Sequence, residues 1–124
     1  MAHTILIVDD SPAMRYTLRS YLSHHAEWHI CGEAENGQEA VEKVKKLSPD
    51  VVILDFQMPV MNGLEAARAI SQLAPDTAML MLTMHHGKEL LEEAHAVGIE
   101  DVLSKSDAVA DHLLASLRKV CSSS

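Results

Sequence analysis

Apolar residues in this chain follow two rhythms. Short solid runs, such as Thr4–Val8 (Thr-Ile-Leu-Ile-Val) and Val51–Leu54 (Val-Val-Ile-Leu), alternate with longer stretches in which apolar residues recur every three or four positions. A solid, largely β-branched run predicts a strand covered on both faces, as in a parallel sheet. The three-to-four rhythm predicts an amphipathic helix lying against that sheet. Thr4–Val8 therefore reads as a first strand. Met14, Leu18, Tyr21 and Leu22 predict a helix that starts at Ser11-Pro12, with Pro in its first turn, and runs to about His24. A short strand over His29–Ala34 follows, then an Asn36-Gly37 turn into a helix carrying Ala40, Val41, Val44 and Leu47. Ser48-Pro49-Asp50 breaks that helix just before the central run, which ends in a carboxylate, Asp55.

Pro59 and Asn62-Gly63 mark the next loop, and Leu64, Ala67, Ile70 and Leu73 predict a helix closed by Pro75. Ala78–Leu82 reads as a fourth strand ending at Thr83, and Leu90, Leu91, Ala94 and Val97 as a helix ended by Gly98. Asp101–Ser104 is a brief fifth strand stopped by Lys105. Asp107 suits the N-cap of a last helix that turns Val109, Leu113, Leu114 and Leu117 inward. Residues 121–124 read as a frayed tail. Five strand–helix units in alternation imply an α/β fold, with a parallel sheet covered by helices on both faces. Right-handed crossovers favour the strand order 2-1-3-4-5.

The 124 residues suit a single domain over 1–124, with a core over about 3–120. No apolar run approaches the roughly eighteen residues of a membrane span, and the first strand pattern leaves no room for a signal peptide. Cys31 and Cys121 match no metal or redox spacing, which points to reduced thiols in the cytoplasm. A net charge of −8 is the wrong sign for binding nucleic acid through this domain. It suits a site that holds a divalent cation, and it suits an ordinary soluble surface equally well.

A parallel sheet brings the carboxyl ends of its strands to one edge, where open α/β sheets hold their ligands. At that edge the sequence places Asp9 and Asp10 after the first strand, Asp55 after the third, Thr83 after the fourth and Lys105 after the fifth. Taken alone, Asp55 does no more than end a strand. Three acids, a hydroxyl and an amine at one edge point to a site.

The ordered pattern Asp-Asp, Asp-x-x-Met-Pro-x-x-x-Gly, Thr and Lys resembles the receiver domain of bacterial response regulators, over nearly the whole chain. Gly-Glu-Ala-Glu-Asn-Gly-Gln-Glu-Ala after the second strand resembles the subgroup often fused to helix-turn-helix output domains. The resemblance implies a three-layer flavodoxin-like fold and a role in two-component phosphorelay signalling. It implies that Asp55 accepts a phosphoryl group from the phosphohistidine of a histidine kinase or a histidine phosphotransfer protein. It also implies Mg²⁺, or Mn²⁺ in its place, held by Asp9, Asp10, Asp55 and the backbone carbonyl of Gln57. Thr83 and Lys105 would bind the phosphoryl oxygens, and the surface of the fourth helix, fifth strand and fifth helix would change. Such a domain is a switch rather than an enzyme, although it labels itself from a phosphodonor and slowly loses the label. A downstream protein or an absent DNA-binding domain would read it, with a homodimer as one form and no membrane contact.

Two positions depart from the pattern. Val102 stands where Tyr or Phe commonly reports the switch, and Val is too stiff at χ1 to do so. Ser106 follows Lys105 where many receivers have a Pro after a cis bond, and a cis bond before Ser would cost roughly 3–4 kcal/mol. Gln57 and His85 each lie two residues past a motif residue, beside the expected path of the water that hydrolyses the acyl phosphate. His85-His86 otherwise reads as a solvated loop, His24-His25 as favourable charge at a helix end, and Met79, Met81 and Met84 as core and loop filler. Two alternatives stand beside the stand-alone switch. One is the regulatory half of a DNA-binding transcriptional regulator. The other is a metal-dependent aspartyl phosphatase, although those enzymes usually carry their nucleophile after the first strand.

Overall fold

The computed structural model describes residues 3–84, 87–105 and 109–122. Strands β1 (His3–Val8), β2 (Trp28–Ala34), β3 (Val51–Asp55), β4 (Ala78–Thr83) and β5 (Asp101–Ser104) alternate with five helices. These are α1 (Pro12–Leu22), α2 (Gly37–Leu47), α3 (Gly63–Leu73), α4 (Lys88–Ala96) and α5 (Val109–Ser122). All strand pairs are parallel, in the order β2-β1-β3-β4-β5, so the fold is the expected flavodoxin-like α/β arrangement.

The solid runs are buried for the reason they are solid. Alternate residues of β1, β3 and β4 point to opposite faces, and each face is covered. On one face Ile5, Ile7, Val51, Ile53, Leu80 and Leu82 pack with Leu18 and Leu22 of α1 and Leu113 and Leu117 of α5. On the other, Leu6, Val8, Val52, Leu54, Met79 and Met81 pack with Ala40 and Val44 of α2, Ala66, Ala67 and Ile70 of α3, and Ala94 of α4. Side-chain caps start three of the helices, as Ser11 accepts from Met14 N, Asn36 from Glu39 N, and Asn62 from Glu65 N in a capping box.

Four local readings need correction. The strand expected to be short, β2, spans seven residues from Trp28. A register shift between Ile5 and Leu6 passes over Cys31, so the alternation that would mark a long strand is interrupted. Leu47 and Leu73, read as part of the apolar faces of their helices, are exposed at 38% and 41%, because each is the last residue of its helix. Met84 is exposed at 63% and fills nothing, unlike the buried Met79 and Met81. Cys121, assigned to a frayed tail, lies within α5 and packs against the α1–α5 cluster. The Asp107 cap, His85-His86 and the Lys105–Ser106 bond fall outside the described residues.

Candidate functional site

Hydrogen bonds that run one residue past the strand ends build the carboxyl edge of the sheet. Asp9 N–H donates to Ala34 O at 3.0 Å, continuing the β1–β2 pairing, and Lys105 N–H donates to Thr83 O at 2.9 Å, continuing β4–β5. Both backbones are thus fixed before their side chains enter the site. Asp55 is the last residue of β3 and is itself paired in register with Leu82. Gly63 closes the loop that follows, donating its N–H to Phe56 O at 2.8 Å. A Cβ at position 63 would stand 2.3 Å from Asp55 O, so only glycine lets α3 start this close to the strand end.

These constraints gather the sequence-expected acids. Carboxylate oxygens of Asp9, Asp10 and Asp55 lie within 4.8 Å of one another. Asp9 and Asp55 are buried and Asp10 is exposed. The Lys105 ammonium sits between the buried pair, 2.7 Å from Asp9 Oδ2 and 3.2 Å from Asp55 Oδ1. Asp9 Oδ1 accepts the Ser11 N–H at 2.9 Å, which leaves Asp10 turned to an open cleft of about 520 Å³. Phe56, Gln57, Met58 and Asn62 line that cleft with Asp10. Thr83 is buried at the end of β4, one strand from Asp55. Val102 is also buried, packed in the cluster beneath α2, α3 and α4.

Charge is crowded here. Burial pushes the Asp55 carboxyl above the ordinary value, Asp9 pushes it further, and Lys105 only partly reverses the effect. Burial also works against the Lys105 ammonium, but the hydrogen bond and charge of Asp9, joined by Asp55, hold it above the usual lysine value. A buried carboxylate cluster with one cation among three acids has a negative balance, and the donors are all hard oxygens. That is the chemistry of a Mg²⁺ site.

A family model for the response regulator receiver domain matches residues 5–118. The chain belongs to that family. It is 42% identical over 108 residues to a protein-glutamate methylesterase/protein-glutamine glutaminase of Methanosarcina acetivorans, covering 86% of this chain and 31% of that protein. It is 39% identical to the transcriptional regulatory protein LnrK of Bacillus subtilis, covering 94% of this chain and 52% of that one. The crystal structure of the response regulator domain of Thermotoga maritima CheB superposes with a TM-score of 0.90 at 32% identity, covering 97% of this chain and 96% of that one. The receiver spans about a third of the methylesterase and about half of the regulator. Family membership decides against the aspartyl phosphatase alternative.

Arg15 escaped the reading of the sequence. Its Nη1 donates to Asp9 O at 2.6 Å, so it braces the turn that carries the acids. A signal was available: α1 has no acid in its first turn, and a cation there opposes the helix dipole.

Proposed function

We propose that this receiver takes a phosphoryl group onto Asp55 from the phosphohistidine of a histidine kinase or histidine phosphotransfer protein. The observation that carries the reading is the Lys105 ammonium held between buried Asp9 and Asp55, at the one strand end where a carboxylate is the final strand residue. In the transfer an Asp55 oxygen attacks phosphorus and an O–P bond forms. The N–P bond breaks, and the departing imidazole nitrogen takes up a proton. No general base is needed, because the attacking oxygen is already anionic.

Lys105 holds its charge beside the attacking oxygen and would pair with a phosphoryl oxygen once Asp55 is esterified. The Thr83 hydroxyl would donate to another. Asp9, Asp10 and Asp55, with the Gln57 carbonyl, would hold Mg²⁺ or Mn²⁺, which when bound neutralises charge on the phosphoryl oxygens. Gln57 and His85 would tune access of the hydrolysing water. Val102 cannot swing from its buried position, so the change at Thr83 would pass to α4 and the α4–β5–α5 surface without an aromatic rotamer.

The test is intact mass after treatment with acetyl phosphate and Mg²⁺. Wild type gains one phosphoryl group and Asp55→Ala gains none; labelling of both would place the acceptor elsewhere. A second reading concerns output. Matches to a methylesterase and to a transcriptional regulator both support a receiver that controls a linked catalytic or DNA-binding unit. The setting proposed for it is the cytoplasm, with a homodimer as one form. Among the described residues no helix is long and apolar enough to cross a membrane.

A further inference from the structure

Two of the three acids of the site sit on a turn, Asp9-Asp10-Ser11, whose parts are held by different neighbours. Asp9 N–H is tied to Ala34 O, and both Asp9 carboxylate oxygens are engaged by Ser11 N–H and Lys105. Asp10 is different. Its side chain is exposed, and the Cα from which that side chain springs is placed by the peptide plane joining it to Asp9. The carbonyl of that peptide accepts from Arg15 Nη1 at 2.6 Å.

Arg15 is itself held. Its Nε donates to Glu33 Oε1 at 3.1 Å, its side chain is only 16% exposed, and the other Glu33 oxygen accepts from Arg19 Nη1. Glu33 precedes Ala34 on β2, and its own backbone carbonyl accepts from Lys43 Nζ. The guanidinium therefore spans from a strand end fixed on two sides to the carbonyl of the peptide that places the Asp10 Cα. A planar fork with donors in fixed directions does this, and a flexible ammonium does not.

We propose that Arg15 is a positioning residue for the divalent cation. Through the Asp9 carbonyl it orients Asp10 toward the cleft, and Glu33 holds the guanidinium in that pose. This deepens the phosphoacceptor reading and rests on it. Groups that orient metal ligands commonly contribute ten-fold or more to affinity. Removing Arg15 alone would also make the site more negative and draw the cation in, so the two effects oppose each other. Arg15→Gln/Glu33→Gln removes the brace with no change in net charge.

The experiment is calorimetric titration of Mg²⁺ into the metal-free full chain, with thermal unfolding of each variant in EDTA. Arg15→Gln/Glu33→Gln should bind Mg²⁺ about ten-fold more weakly than wild type. Arg15→Lys, which keeps the charge without the fork, should fall between them. A double variant with lowered melting temperature and wild-type Mg²⁺ affinity would show a purely structural role and overturn the proposal. Failure of the phosphoacceptor reading shows separately, as wild type that binds no Mg²⁺ and gains no mass from acetyl phosphate; without a wild-type affinity for Arg15 to support, the proposal falls with it.

Discussion

The two ends of β3 carry the same side chain in opposite circumstances. Asp50, just before the strand, is exposed, and its carboxylate accepts from Thr4 N–H at 2.8 Å and Thr4 Oγ1 at 3.2 Å. Its backbone is satisfied as well, with N–H bonded to Thr4 O and carbonyl bonded to Ala78 N–H. Asp55, at the other end, is buried, meets one ammonium, and faces two more carboxylates. Asp50 ties strands together at little electrostatic cost. Asp55 stores unfavourable charge that a cation or a phosphoryl group's ligands can use. The amino edge of the sheet serves stability, and the carboxyl edge trades stability for chemistry.

The sharpest way to break the comparison is to remove the ammonium. Lys105→Met leaves two buried carboxylates without a counter-charge, and losing one member of a buried ion pair costs about 3 kcal/mol or more. Urea unfolding in EDTA at neutral pH should show that loss. A cost under about 1 kcal/mol would mean that water screens the pair and that the carboxyl edge is no more strained than the amino edge.

Removing the nucleophile's charge should act in the opposite direction. Carboxylates whose oxygens lie within 4.8 Å of one another repel by roughly 3 kcal/mol at an effective dielectric near 20, and Lys105 offsets part of this. Asp55→Asn should therefore raise the stability of the metal-free protein by about 1–2 kcal/mol, or several degrees of melting temperature. The effect depends on pH. Asp55 is raised above its ordinary 3.8, so between those values the native state binds more protons than the unfolded one. Wild-type stability then falls as pH rises through that window. The advantage of Asp55→Asn should be absent below pH 3.8, grow through the window and level off above it. Thermal melts in EDTA from acid to neutral pH check the sign, and equal melting temperatures at neutral pH would count against a crowded cluster.

Asp50 supplies the contrast. Asp50→Ala removes an exposed acceptor for Thr4 and a carboxylate 3.9 Å from His3 Nδ1, so it should cost about 1 kcal/mol in urea unfolding. It should leave acetyl phosphate labelling and Mg²⁺ affinity at wild-type values. A labelling defect in this variant would join the two edges energetically.

The sequence shows one half of this contrast better than the other. Solid runs ending in acid marked β1 and β3, because full burial demands unbroken apolar residues and a parallel sheet aligns their ends. The gathering of Asp9, Asp10, Asp55, Thr83 and Lys105 followed from topology alone. Nothing in periodicity says that Asp9 is buried against Lys105 while its neighbour Asp10 is exposed, since that depends on how the turn is braced. Arg15 left only an indirect sign, a cation in the first turn of α1, because it acts on a backbone carbonyl and leaves no pairing pattern in sequence. β2 was legible but for its first residue, Trp28, although its pairing with β1 passes over Cys31. Val102 was visible as a departure, but its place beneath the helices needed the fold.

Backbone strain offers the smallest test. Among the described residues, two non-glycine residues have positive φ, Ser48 at 46° and Val60 at 71°. Ser48 caps α2 at the amino edge, a place where left-handed geometry satisfies helix carbonyls. Val60 is instead the middle of a tight three-residue turn, with Met61 N–H donating to Pro59 O at 2.7 Å across it, a strained geometry. It is β-branched, 76% exposed, and sits in the loop between Asp55 and α3. Left-handed geometry costs an L-residue about 1–2 kcal/mol, and glycine returns part of any gain through its freer unfolded chain. Val60→Gly should thus stabilise by about 0.5 kcal/mol in urea unfolding, with little burial lost. Gln57 lies three residues earlier in the same loop, so a looser loop should also place its carbonyl less firmly and weaken Mg²⁺ binding slightly in calorimetry. Gain and loss together would show that this edge keeps strain because the loop serves the site. Destabilisation instead would mean that the Val60 side chain stabilises the loop enough to outweigh its strain, and the contrast between the edges would then rest on charge alone.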